Sequence, residues 1–175
     1  GQQEQEIGES VMQQIKASGE MVDDPDLNDY LMHLGYRLAS NSPEPGRYYQ
    51  FFALKDRSIN AFALPGGFVG IHTGLILASQ SESELASVLG HEISHVTQKH
   101  MARRFESESR MSIPMLAATV LAILAARSNS QVGAAAVTSA QAAGSQLSLN
   151  YSRDNEREAD RIGMQTLTQA GFDPR

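Results

Sequence analysis

The chain has 175 residues, a formal charge of −6 and a pI near 5.3, a balance that argues against binding nucleic acid or anchoring on anionic lipid. It contains no cysteine, which excludes a disulfide framework and a thiol nucleophile. The length suits one domain over 1–175 with a single sizeable core, and no charged region followed by an apolar one opens it as a signal peptide would.

In chain order, 2–18 reads as a polar amphipathic helix with Ile7, Val11 and Ile15 on one stripe. Asp24-Pro25 supplies an N-cap and a first-turn proline for a helix reaching about Ser40. The run 41–46 has the chemistry of a loop. Short strands are expected over 48–54, 61–64 and 68–72, the last two joined through Pro65-Gly66-Gly67, then a short helix over 73–79. Ser81 and Glu84 have capping-box spacing and open the next helix, along which Leu85, Leu89 and Ile93 form an apolar stripe. Ala86 and Gly90 are small enough to let a second element approach closely. The run 113–126 is apolar but falls short of the roughly twenty residues a membrane span needs, so a buried helix is expected there. The Ala-, Ser-, Gln- and Gly-rich run 128–144 fits either a lid or a helix packed through small side chains. The expected class is α+β, mainly α-helical, with a small β-sheet beside the helix that follows Ser81.

That helix carries His91-Glu92-Ile93-Ser94-His95. Residues four apart share one helical face, so His91 and His95 can hold one Zn²⁺ from consecutive turns. Glu92 sits one residue past the first ligand, beside the metal rather than on it, where it can take a proton from an attacking water. A chance pentapeptide on a solvated helix is the plainer explanation, and the apolar flanks speak against it. The other histidines, His33, His72 and His100, are most simply structural or solvent-facing.

A catalytic zinc usually has three protein ligands and keeps a further position open. Asn155-Glu156-Arg157-Glu158-Ala159-Asp160 can supply the third. Glu156 and Asp160 lie four apart on one face, while Glu158 points to nearly the opposite side. Glu156 can then ligate the metal, and Asp160 can accept a hydrogen bond from the far nitrogen of a ligand histidine. Alone, this stretch would read as a charged, solvated face with i, i+4 pairs; the upstream motif shifts the balance toward ligands.

HEISHVTQKH with NEREADRIG resembles the gluzincin metallopeptidases of the HtpX and CaaX-prenyl-protease family, most nearly their periplasmic BepA-type branch, which supports outer-membrane assembly. Further matching stretches are Ile59-Asn60-Ala61-Phe62-Ala63, Gly66-Gly67 through Gly74-Leu75, Glu84 to Val88, and Gly171-Phe172-Asp173-Pro174. The resemblance implies a zincin-like protease domain with one Zn²⁺ per chain held by His91, His95 and Glu156. It implies Glu92 as general base and acid, Asp160 behind the ligands, and a periplasmic location. Members of that branch continue past the GFDP segment, so the chain is expected to be a fragment lacking downstream segments.

The expected function is zinc-dependent hydrolysis of peptide bonds in unfolded or misassembled proteins, in contact with outer-membrane assembly machinery. Asn60, Ala61 and Phe62 with Gly67, Phe68, Val69 and Gly70 offer a hairpin on which an extended substrate could add as a further strand. Tyr151 and Arg153 are candidates for stabilising the oxyanion. The rival is a non-catalytic, zinc-stabilised chaperone or assembly adaptor; Glu92 speaks against it, because a purely structural site is usually closed by a fourth protein ligand. A membrane-embedded prenyl-protein protease would need long apolar segments that the sequence lacks.

Overall fold

The computed structural model describes residues 2–100, 103, 112–127 and 152–174. Among them are six helices, α1 (Gln2–Ala17), α2 (Pro25–Ala39), α3 (Thr73–Ala78), α4 (Glu82–Thr97), α5 (Ile113–Arg127) and α6 (Arg153–Gln169), and three strands, β1 (Gln50–Leu54), β2 (Ala61–Leu64) and β3 (Phe68–His72). The chain is therefore mainly helical around a small mixed sheet, the class expected. The 128–144 run and Tyr151 lie outside the described residues.

Local chemistry explains most boundaries. The Asp24 carboxylate accepts from the N–H groups of Asp26 and Leu27 ahead of Pro25. Ser81 accepts from the Glu84 N–H at 3.2 Å, and Glu84 reaches back to the Gln80 N–H at 2.7 Å. Ser152 caps α6 by accepting from the Asn155 N–H at 3.0 Å. The turn between β2 and β3 places Gly66 and Gly67 at φ near +90°, a region glycine enters without steric cost.

The strand order is β1-β3-β2, with β3 parallel to β1 and antiparallel to β2. Nearly every strand residue is buried, yet alternation still sorts the side chains onto two faces. Phe51, Ala53, Ala61, Ala63, Val69 and Ile71 join a core with α2 and α4. Phe52, Phe62, Leu64 and Phe68 join a second core with α1 and α5. The stripe Ile7, Val11 and Ile15 faces that second core, as does the apolar run, through Leu116, Ala117 and Val120. The sheet is thus the middle of three layers. No described helix is long and apolar enough to cross a membrane.

Two features position the site. Helix α4 lays Leu85, Ala86, Leu89, Ile93 and Val96 into the first core, which fixes its rotation about its own axis. Helix α6 crosses α4 where glycine meets glycine: a Cβ on Gly163 would lie 3.0 Å from the His91 nitrogen and 3.1 Å from the Gly90 carbonyl. The close approach anticipated at Gly90 is that of α6.

Candidate metal centre

The crossing brings the α4 histidines against the first turns of α6. His91 Nε2 and His95 Nε2 lie 3.1 Å apart. Glu156 Oε2 is 3.1 Å from His91 Nε2, and its Oε1 is 3.2 Å from His95 Nε2. Ligand atoms about 2.0–2.1 Å from a tetrahedral zinc would stand about 3.3 Å from one another, close to the spacing these three side chains adopt. The donor set, two neutral imidazoles and a carboxylate, also suits zinc. Their ligand atoms all lie within 4.8 Å of one another, so the three could hold a metal ion.

Each candidate ligand histidine is held from behind. Asp160 Oδ1 lies 2.7 Å from His91 Nδ1, so Nδ1–H donates outward, and a neutral ring held this way would turn its Nε2 lone pair toward the cluster. His95 Nδ1 meets His100 Nδ1 at 2.8 Å, and His100 Nε2 meets Glu158 Oε1 at 2.9 Å. Arg103 Nη2 is 3.4 Å from the same Glu158 oxygen. The hydrogen bond from His100, with partial burial opposing it, holds the Glu158 carboxyl below the usual carboxylate range, so it accepts as an anion at neutral pH.

The surroundings are unequal. The His95 side chain is 2% exposed, whereas Glu156 is 44% and Asp160 74% exposed. The cluster therefore opens to solvent on the α6 side, where a groove of about 550 Å³ runs past His91, Asp160, Gly163 and Met164. Glu92, between His91 and His95 in sequence, is buried at 4% exposure.

The structure thus gathers His91, His95, Glu156 and Asp160 as spacing suggested. It places the hairpin residues differently from one another. Phe68, Val69 and Gly70 belong to the central strand, both of whose edges are taken by β1 and β2, and Gly67 lies in the turn. None of these four has a strand edge to offer. Asn60, Ala61 and Phe62 belong to the approach and start of β2, an edge strand packed beside α4. His100 is not solvent-facing: it is buried at 1% exposure against a candidate ligand. Glu158 leaves α6 on another side than Glu156, as its spacing requires, and meets the chain that turns back beyond α4. The legible signal for this pair was a third histidine five residues past His95; spacing within one helix could not use it, because α4 ends at Thr97.

An HExxH helix crossed by a glutamate-bearing helix beside an edge strand is the arrangement of a metallopeptidase domain. Residues 25–175 match peptidase family M48, and the chain belongs to that family. It is 41% identical over 172 residues to the beta-barrel assembly-enhancing protease of Escherichia coli (strain K12), and 44% identical over 171 residues to a Vibrio cholerae protein described in similar words. Each alignment covers 98% of this chain and 35% of the relative, so the chain spans about a third of the length of these relatives. The mitochondrial metalloendopeptidase OMA1 of Schizosaccharomyces pombe is 33% identical over 146 residues, 83% of this chain and 40% of that protein.

Proposed function

We propose that this domain is a zinc-dependent endopeptidase that cleaves extended segments of unfolded or misassembled proteins in the bacterial periplasm, in the service of outer-membrane assembly. The observation that carries the reading is the convergence of His91, His95 and Glu156 at 3.1–3.2 Å around the segment that contains Glu92. Zinc, when bound there, would supply Lewis acidity toward a water and a scissile carbonyl. His91, His95 and Glu156 would hold it. Glu92 would take the proton of the attacking water and pass it to the leaving amine. The names of the bacterial relatives support the assembly role; the compartment rests on the resemblance read from the sequence.

The substrate surface is β2. The His72 N–H donates to the Asn60 carbonyl at 3.0 Å, and from that pair the antiparallel alternation turns the backbone polar groups of Phe62 and Leu64 toward β3 and those of Ala61 and Ala63 away from it. The Asn60 side chain already accepts from the Ala61 N–H at 2.9 Å. Ala63 and the Ala61 carbonyl are left to pair with an added strand, which favours substrates whose backbone is extended and unpaired.

The deciding experiment measures metal content and cleavage of an unfolded protein for wild type and Glu92→Gln. Zinc in both, with cleavage by wild type only, supports the proposal. Zinc in both with cleavage by neither would favour the non-catalytic adaptor.

A further inference from the structure

We infer that His100, anchored by Glu158, is a positioning residue for the metal centre: it holds His95 in the tautomer and ring orientation that ligation requires. The inference rests on the zinc reading of His91, His95 and Glu156.

The proton positions follow from the geometry. For His95 Nε2 to present its lone pair toward His91 Nε2 and Glu156, the ring's proton must sit on Nδ1. That Nδ1 lies 2.8 Å from His100 Nδ1. Two ring nitrogens at this distance need one donor and one acceptor, so His100 Nδ1 accepts. The proton of His100 is then on Nε2, which lies 2.9 Å from Glu158 Oε1 and donates to it. Arg103 steadies the same oxygen from outside. Every proton in the chain His95–His100–Glu158 thus has one consistent place, and the carboxylate at its end fixes the direction.

The backbone is bent to make this contact. Helix α4 ends at Thr97, and Lys99 takes φ of +55°, the left-handed region in which a lysine costs about 1 kcal/mol relative to glycine. This turn folds the chain under the last turn of α4 and brings His100 to His95. An ordinary helix would carry position 100 away, since residues five apart do not share a face. The two ligand histidines are therefore supported unequally. His91 rests on a carboxylate that is 74% exposed, whereas the His100 side chain is fully enclosed, so water cannot readily replace it as acceptor.

Asparagine and glutamine separate the two ends of the imidazole. In His100→Asn the side-chain oxygen can stand where Nδ1 stood and accept from His95. In His100→Gln the amide stands where Nε2 stood and keeps only the Glu158 contact. Zinc affinity, measured on the full chain by competition with a chromophoric chelator, should fall ten- to hundredfold in His100→Gln and His100→Leu, and by no more than about fivefold in His100→Asn. Imidazole ¹⁵N spectra of the zinc-loaded wild type should show His100 protonated on Nε2. The inference is overturned if all three variants bind within twofold of wild type, if Asn is as impaired as Leu, if Gln binds better than Asn, or if His100 carries its proton on Nδ1. Should Leu fail to fold, the Asn and Gln variants decide alone. A wild type that binds no zinc would overturn the metal reading along with this one.

Discussion

Five side chains around the candidate metal divide the work by the atoms they expose. On the zinc reading His91, His95 and Glu156 would present lone pairs to a common point, and His91→Ala should abolish stoichiometric zinc on elemental analysis; zinc undiminished in that variant would remove the centre. Glu156→Gln keeps the shape but weakens the donor, so binding should fall without loss of the fold. Under the proposed mechanism Glu92 would contribute chemistry rather than affinity. Glu92→Gln should keep zinc while turnover of an unfolded substrate drops about 10²- to 10⁴-fold, and cleavage near the wild-type rate would disqualify it as base. Asp160 sits at 2.7 Å from His91 but is largely exposed, so Asp160→Ala should fall at the weak end of the ten- to hundredfold range for such partners. Zinc titration and turnover both unchanged within twofold would reduce Asp160 to a surface group.

At the scale of elements, the site depends on how closely α6 approaches α4. Gly90 and Gly163 let the two backbones touch, and a methyl at 163 would press on backbone atoms that cannot rotate away. Gly163→Ala should therefore destabilise by about 1–3 kcal/mol and weaken zinc binding as Glu156 is carried off the histidines. Gly46→Ala, where an added Cβ meets nothing, is the control, and equal unfolding temperatures for the two variants would show that the crossing has room to spare. Much of this layout was legible in the chain. Ser81, Asp24-Pro25 and the stripes on α1 and α4 act through neighbours in sequence, and those local rules placed the helices and strands. Periodicity also put Glu156 and Asp160 on one face. What it could not carry was anything dependent on a break in helical register. The left-handed Lys99 hides in a proline-free stretch, so His100 and Glu158 looked like bystanders. Strand order was equally invisible: Phe68 to Gly70 read as well as Ala61 and Phe62 for an edge, until β1 took the far side of β3.

Among the described residues of the whole molecule, the sheet is closed along the outer edge of β1 and nothing pairs with the outer edge of β2. The outer edge of β1 is met by residues 20–22, through the Met21–Leu54 bridge and the Val22 N–H to the Ala53 carbonyl, which leaves β2 as the strand with an edge beside α4. If substrates add there, a peptide whose amide facing the Ala63 carbonyl is N-methylated should bind about three- to tenfold more weakly, the worth of one backbone hydrogen bond. Methylating the next amide, which faces away, should have little effect; equal sensitivity at both positions would rule out strand addition. The path of the chain adds a further consequence. After α4 it crosses to the opposite face of the sheet, forms α5 against α1, and returns as α6 to lie on α4 again. Whatever joins His91 and His95 to Glu156 therefore ties off a long loop, and ordering that loop carries an entropic cost which a bound ion can offset through its preference for the folded form. Withdrawing the ion should loosen the chain unevenly. Amide hydrogen exchange should quicken first along α6, while the α1–α5 layer, built on contacts that do not touch the metal, keeps its protection. The ion would then act as a latch on the fold as well as a reagent.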